Sequence, residues 1–478
     1  MQIDYRGMKI LVMGLGLNGG GLESALYLAR RGAELRVTDL RDEKVLGPSL
    51  EKLQAAGGNF RLVLGRHDME DFRWADMVIK NPGVRPDSPY LQVCRRIETD
   101  ISLFLMGNPA RLLAVTGSKG KSGTASALHW VLAQAREGGR LPGKAYLGGN
   151  ITVSPLSFLD DLSADDNVVL ELSSWQLGDL RGRGLLKPRT AVLTAIMPDH
   201  LDRYGSMEEY VADKRLIYHD QGPGDLTVVP AGDWGDRFLK ESPARVLAYG
   251  DRDRLPADGA GAWLEGERGQ ERGLARLVPG GPVLEAVPEA LLTPGAHQKH
   301  NFLAAALALL DLGLQADFVR EGLGSFPGIE DRLEFFREAA GVRYYNDSAA
   351  TIPEAAAAAV EAFEGPLVLV AGGADKNLDF GPLAETLAGA QGAGRLRGLV
   401  LLAGAGSDRL IPLLDRAGVP FMGPAASAEE AALLAIEVAR PGDRVVLSPG
   451  CTSFGMFQNE FDRGRKWKEA VLGLSYGH

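Results

Sequence analysis

A short apolar run at residues 111–115 breaks into Thr116-Gly117-Ser118-Lys119-Gly120-Lys121-Ser122, and the residues after it read as a helix to about Ala135. Strand, glycine turn and helix in that order dictate a parallel strand, because the helix must pack back on the sheet before the next strand can pair. The turn is also an anion site in outline. Successive backbone N–H groups and a helix start would cradle phosphate oxygens, Lys121 would reach the terminal phosphates, and the Ser122 hydroxyl would hold Mg²⁺. The usual pattern, G-x-x-x-x-G-K-[ST], is shortened here: only Ser118 and Lys119 lie between the glycines. A charged turn with no ligand is the plainer reading of the same residues.

The rhythm repeats on both sides. Residues 9–13 read as a strand, followed by Gly14-Leu15-Gly16-Leu17-Asn18-Gly19, a helix over about 22–31 and a second strand at 34–38. A third strand, 75–79, ends in Asn81-Pro82-Gly83. The glycine turn suits a nucleotide diphosphate, a dinucleotide cofactor included, with the Asp39 carboxylate placed for a ribose hydroxyl. Glycines that only pack a helix on a sheet would look alike. Gly107-Asn108-Pro109 and Phe326-Pro327-Gly328 read as hinges, and residues 252–281 as loops or short hairpins. Strands at 366–371, 398–403 and 443–448 close the chain. The expectation is an α/β protein of three domains in series, 1–107, 108–327 and 328–478.

Composition narrows the partners. With 52 Lys and Arg against 62 Asp and Glu the net charge is −10, so neither nucleic acid nor an anionic membrane is expected as a partner. No apolar stretch approaches the roughly 20 residues of a membrane helix. Charges occupy residues 1–7, where a secretion signal is apolar. Cys94 and Cys451 are the only cysteines, which suits a reducing cytoplasm.

Glu171 ends an apolar strand at 168–171 and leads into Ser173 and Gln176; another strand at 190–196 precedes Asp199-His200-Leu201-Asp202. Acidic residues at such strand ends face the ligand crevice. Glu171 and His200 would complete a Mg²⁺ shell beside Ser122. Lys214, on a helical run over 207–218, reads by itself as a solvated charge. Asn346-Asp347-Ser348, Gly372-Gly373-Ala374-Asp375-Lys376 and Ser448 to Ser453 each end a strand, and one crevice would gather all three.

Taken together and in order, these motifs, with Arg463-Gly464 near the end, resemble the Mur ligases, ATP-dependent amide ligases of peptidoglycan precursor synthesis. Within them the likeness is greatest to the branch that adds glutamate to UDP-N-acetylmuramoyl-L-alanine, D-glutamate first and an L-glutamate-adding branch as the alternative. The resemblance implies a Rossmann-like UDP-binding domain, a central ATPase domain, and a C-terminal dinucleotide-fold domain that closes on ATP and binds glutamate. It turns the first glycine turn into a UDP site, with Asn18, Asp39, Arg41, Asn81, Gly83, Asn150, Ser173 and Gln176 toward the UDP-muramoyl substrate. It assigns Gly117, Ser118, Lys119, Gly120, Lys121, Ser122, Asn301, Arg332 and Asp347 to ATP, and Lys121, His200 and Lys214 to catalysis. Metal would sit on Ser122, Glu171, His200 and a carbamylated Lys214, with two Mg²⁺ ions. Glutamate would meet Thr351, Lys376, Ser453 and Phe454. The expected state is a cytoplasmic monomer.

Departures cluster at the acceptor side. Ala349 stands where the family has a lysine, Ile352 follows Thr351, Gly455 replaces an acidic residue, and Glu460 takes an aromatic position. Elsewhere, Gln298 and Ala195 replace asparagines. A folylpolyglutamate-synthase-like ligase shares the ATPase pattern but lacks a UDP-type N-terminal domain.

Overall fold

The strand and helix alternation resolves into three sheets. The structure, a computed structural model, describes residues 3–474 apart from 18, 58–59, 152, 256–258 and 268–269. Asn18 therefore lies outside the described residues. The chain divides into two units, one of Met1–Pro288 with His300–Leu323, the other of Glu289–Lys299 with Gly324–His478.

The first unit holds two sheets. One contains β1 (Lys9–Met13), β2 (Glu34–Asp39), β3 (Phe60–Leu64), β4 (Met77–Lys80) and β5 (Ile97–Glu98) in the order β3-β2-β1-β4-β5, all parallel. The order reverses at β1, so the crevice outside its C-terminal end lies between the turn after β1 and the turn after β4.

The second sheet contains β6 (Arg111–Thr116), β7 (Ala145–Gly149), β8 (Asn167–Glu171), β9 (Thr190–Leu193), β10 (Leu226–Pro230), β11 (Arg245–Gly250), β12 (Gly261–Glu265), β13 (Arg272–Arg276) and β14 (Leu284–Val287). Its order is β14-β13-β12-β11-β10-β9-β6-β8-β7. Strand β6 sits between β8 and β9, and β8 and β9 are buried along their whole length. Burial on both faces is why these strands read as unbroken apolar runs. The chain leaves β6 toward one side and later returns to the other, which again opens a crevice at its end. The stretch expected as loops or hairpins contains the antiparallel pair β12 and β13.

One hydrophobic core runs through both sheets. Phe104, on the helix Asp100–Gly107, meets Phe158 edge-on at 6.0 Å. Lys80 at the end of β4 reaches Asp179 at 2.8 Å, and Arg183 donates to Glu98 at 2.7 Å. The Gly107 to Pro109 stretch is thus a connection inside one unit.

The second unit carries β15 (Glu334–Ala339), β16 (Val342–Asn346), β17 (Leu367–Gly372), β18 (Leu396–Leu402), β19 (Met422–Ala425) and β20 (Arg444–Leu447), ordered β15-β16-β20-β17-β18-β19. Strands β16, β20 and β17 are neighbours and parallel, so the loops that end them emerge side by side.

Some elements differ from expectation. Strands β3 and β15 are half-exposed edge strands without a continuous apolar run, which leaves little pattern to read. The third strand is Met77–Lys80, two residues later at its start than expected. The strand expected over 190–196 stops at Leu193, because Thr194 and Ala195 turn to bond the phosphate loop. The helical run expected over 207–218 is two pieces, Met207–Lys214 and Leu216–His219.

Candidate active site

The turn after β6 is held from one side by the chain after β9. The Ser118 N–H donates to the Ala195 carbonyl at 2.7 Å, Lys119 bridges Ala195, and the Thr194 N–H donates to the Thr116 carbonyl at 2.8 Å. Gly117 has φ 151°, and a Cβ there would lie 1.9 Å from Thr194 Oγ1. Gly120 is left-handed and caps the helix Lys121–Glu137 without a side-chain hydrogen bond; a Cβ on it would come within 2.3 Å of Asn301 Oδ1. The two glycines are therefore required by close approach as well as by backbone conformation. The helix start keeps its N–H groups for an anion, since the first turn has no acidic residue.

Lys121 folds back over the turn, its Nζ donating to the carbonyls of Gly117 at 3.1 Å and Ser118 at 3.0 Å. Burial lowers its pKa, with Glu171 and Asp199 acting in opposition. Lys214 ends its helix fully buried and donates to the same Gly117 carbonyl at 2.7 Å. Its ammonium lies 4.4 Å from the Tyr210 ring centroid, one helical turn back, and Tyr210 in turn donates to Ser118 Oγ at 3.1 Å. Burial first, then the charge of Lys121, pulls the Lys214 pKa from 10.5 to about 7.

Glu171 ends β8 wholly buried. One carboxylate oxygen accepts from Asn150 Nδ2 at 2.9 Å, while the other has no hydrogen-bond partner among the described residues. A buried carboxylate oxygen left unpaired is costly unless a cation meets it, so the donor set suits a hard divalent ion. His200 is left-handed at φ 52° and half-exposed, with its ring 5.2 Å from that of Trp175. Among the described residues no group of three His, Cys, Asp or Glu side chains gathers as a metal site.

The first glycine turn is shaped by its own carboxylate. Asp39 accepts from the Gly16 N–H at 3.1 Å and the Arg41 N–H at 2.9 Å, and Ser49 Oγ donates to the Gly16 carbonyl. Asn81 lies against Gly14 and accepts from the Gly83 N–H at 3.1 Å. A cavity of about 220 Å³ joins this turn and Arg41 to Asn150 and Gln176. Ser173 and Gln176 cap the short helix Ser174–Gly178 reciprocally. Asn150 thus belongs both to this cavity and to Glu171, which links the cavity to the end of β8, the neighbour of the strand that leads into the second glycine turn.

In the second unit, three strand-end loops come together as expected. Asp347 accepts from the Leu333 N–H at 3.1 Å and from Ser448 Oγ at 2.6 Å; burial raises its pKa to about 7. Ala374 pairs with Thr452, and the Gly450 N–H donates to the Ala350 carbonyl. These bonds set Thr351, Lys376 and Ser453 on adjoining loops. Ser453 is buried, whereas Lys376, Arg332 and Phe454 are exposed. Arg463 ties the cluster together: its guanidinium donates to Ser348 Oγ, the Ser348 carbonyl and the Cys451 carbonyl.

Three family profiles match in sequence: the Mur ligase MurD-like N-terminal domain over residues 8–102, the Mur ligase middle domain over 115–309, and the Mur ligase glutamate ligase domain over 331–451. Relatives named UDP-N-acetylmuramoylalanine--D-glutamate ligase are 41% identical in Treponema pallidum, with 98% of each chain covered, and 40% identical in a Roseiflexus species, covering 98% of this chain and 99% of the relative. The chain belongs to the Mur ligase family. Mur ligases are ATP-dependent ligases that use Mg²⁺. The fold agrees with crystal structures of the UDP-N-acetylmuramate-alanine ligase MurC from Thermotoga maritima (TM-score 0.55, 20% identity, 97% and 99% of the chains) and MurF from Acinetobacter baumannii (0.56, 17%, 97% and 93%).

Sequence reading of this Mur ligase missed residues that act through others. Tyr210 was legible as a partner only through its spacing of one helical turn from Lys214. Asp100, Ser154 and Arg463's three contacts carry no such signal, because each depends on loops distant in the chain.

Proposed function

We propose that this Mur ligase joins D-glutamate to UDP-N-acetylmuramoyl-L-alanine with ATP, as a cytoplasmic monomer in peptidoglycan precursor synthesis. The observation that carries the reading is the cavity from Gly16 and Arg41 to Asn150, whose amide holds Glu171 beside the phosphate loop. Relatives at 41% and 40% identity over nearly the whole chain bear that name. No helix among the described residues is long and apolar enough to cross a membrane.

In this reading Arg41, Asn81, Gly83 and the turn at Gly16 hold the UDP moiety, and Asn150, Ser173 and Gln176 hold the muramoyl end. Gly117 to Ser122, with Asn301, Arg332 and Asp347, bind ATP. The alanyl carboxylate attacks the γ-phosphorus, the bond to ADP breaks, and an acyl phosphate forms. Lys121 neutralises charge on the transferring group. The glutamate amine then attacks the acyl carbon, the C–O bond to phosphate breaks, and the nitrogen loses a proton. Thr351, Lys376, Ser453 and Phe454 present the glutamate.

Ser122, Glu171, His200 and carbamylated Lys214 would hold the Mg²⁺, two ions in all; the metal supplies charge neutralisation to the phosphates when bound. The neutral amine attacks the carbon of carbon dioxide and loses a proton to give the carbamate, and Lys214 is buried with a pKa near 7. The carbamate converts a cation into an anionic oxygen ligand.

Ala349, Ile352 and Gly455, on the loops proposed for the acceptor, and Glu460, which begins the helix Glu460–Leu472, favour a test of L-glutamate as second substrate. Purified protein with ATP, Mg²⁺ and UDP-N-acetylmuramoyl-L-alanine should release phosphate when D-glutamate is added, with the coupled product seen by mass spectrometry. No release with either enantiomer defeats the proposal, and release with L-glutamate alone defeats its stereochemistry.

A further inference from the structure

The cavity between the first glycine turn and Asn150 has a wall that the proposed chemistry leaves unused. Asp100 lines it, on the first turn of the helix Asp100–Gly107, and is 6% exposed. One carboxylate oxygen accepts from Ser154 Oγ at 3.3 Å; the other is buried with no hydrogen-bond partner among the described residues. A Cβ on Gly20 would lie 3.2 Å from the first of these oxygens, so Asp100 faces the start of the helix Gly20–Arg30. Among the described residues no ion pair holds it, and Asp179 acts on it unfavourably.

A buried acceptor without a donor, in a cavity shaped for a ligand, is completed by the ligand. The identity of the donor is set by the groups at each end. The nucleotide diphosphate belongs at Gly16 and Arg41, and the reacting acid at Asn150 and Gln176. A carboxylate repels phosphate and acid alike, so the group beside Asp100 must be neutral and must donate. Between the diphosphate and the alanyl carboxylate, UDP-N-acetylmuramoyl-L-alanine has its hexosamine, which offers hydroxyl and acetamido N–H donors; the one other donor, the lactyl–alanyl amide N–H, adjoins the acid and so belongs at the Asn150 end.

We propose that Asp100 is a specificity-determining residue that accepts a hydrogen bond from the hexosamine of the UDP-linked substrate, with Ser154 fixing its orientation. This rests on the proposed function. It also keeps the diphosphate at the glycine turn, because the like charge of Asp100 closes the adjoining wall to phosphate. Burial raises the Asp100 pKa, as expected of a carboxyl whose partner arrives with the substrate.

The test is Asp100→Asn, nearly isosteric, read in KM and in binding. For the variant, KM for UDP-N-acetylmuramoyl-L-alanine should rise about tenfold or more, kcat and the KM for ATP should stay within about twofold, and the Kd of UDP alone should be unchanged. Ser154→Ala should show the same pattern at about threefold, and it serves if Asp100→Asn does not fold. Equal weakening of UDP and of the full substrate would mean that Asp100 only shapes the glycine turn, and would overturn the inference, as would an unchanged KM. The wild-type enzyme keeps the two readings apart. If it turns the substrate over while Asp100→Asn leaves KM unmoved, this inference alone fails; if it is inactive with both glutamates, the proposed function fails.

Discussion

Replacing Arg463 by alanine tests how the strand-end loops of the second unit are held. Its guanidinium is 1% exposed and donates at 3.0, 3.0 and 2.9 Å to Ser348 Oγ, the Cys451 carbonyl and the Ser348 carbonyl. Hydrogen bonds from a charged donor contribute about 1.5–3 kcal/mol each, roughly 4–9 kcal/mol for the set. Burial opposes this: it pulls the guanidinium pKa from 12.5 to about 10, equivalent to about 3 kcal/mol against the charged form. The net loss expected for Arg463→Ala is therefore on the order of 3 kcal/mol. Arg463→Lys keeps the charge but not the fork, and should lose about half as much.

The assay is urea unfolding followed by tryptophan fluorescence. Of the six tryptophans, Trp467 is the one in the second unit. It is buried, and its Nε1 donates to the Tyr345 carbonyl at 3.1 Å. A Trp467→Phe control identifies its transition, which matters because two units need not unfold together. With a slope of about 2 kcal/mol per molar urea, the Arg463→Ala midpoint should fall by about 1.5 M. A fall of less than about 0.5 M would refute the reasoning, since it would show that the buried fork contributes no more than a surface contact.

Four further outcomes concern the turn after β6. Lys121→Ala should lower turnover by roughly a thousandfold or more while circular dichroism and thermal midpoint stay near wild type; near-normal turnover would remove Lys121 from the chemistry. Lys214→Ala should be inactive and partly restored by short carboxylic acids. Wild-type activity should rise with pH through about 7, as the amine of Lys214 loses its proton and becomes able to take up carbon dioxide; a fully active Lys214→Ala contradicts this. Gly117→Ala places a Cβ 1.9 Å from Thr194 Oγ1, and the displaced turn should raise the KM for ATP about tenfold or more, measured by initial rates.

The sequence announces structure wherever one local rule decides it. Strands β6, β8 and β9 are buried on both faces, so their apolar runs can be read directly, and the loops after β6 and β8 fall where those runs end. The glycine turns are legible because left-handed or tightly packed backbone needs glycine. The edge strands β3 and β15 were not legible, since half-exposed residues show no period. Lys214 was not legible from its own surroundings in sequence either: on a polar helix it reads as a solvated charge, yet the fold buries it against Gly117. Its role came through resemblance alone. Asp100 and Arg463 mark the same limit. What each does depends on residues 54 and 115 positions away, Ser154 and Ser348, and no local pattern encodes a meeting over that distance.

The arrangement around Gly117 explains why a phosphate loop of this kind can carry a second lysine. Its carbonyl accepts from both Lys121 and Lys214, and two ammonium groups cannot share one buried acceptor without raising each other's energy. The repulsion is relieved by deprotonating the more buried of the two, and that is Lys214, whose pKa falls to about 7 with Lys121 as its second cause. Lys121, a phosphate contact under the proposed function, is thus also a charge that lowers the Lys214 pKa. Under the proposed function, the anion that Lys214 would become on carbamylation adds to the unpaired oxygen of Glu171 and would give a site that begins with two competing cations the negative charge a divalent ion requires. On this argument Lys121→Ala does more than remove a phosphate contact: it raises the pKa of Lys214 and lessens carbamylation. The carbamate carbon of protein equilibrated with ¹³C-bicarbonate should accordingly be weaker in the variant's NMR spectrum than in the wild type's at pH 7. An equal signal in both would show that burial alone tunes Lys214.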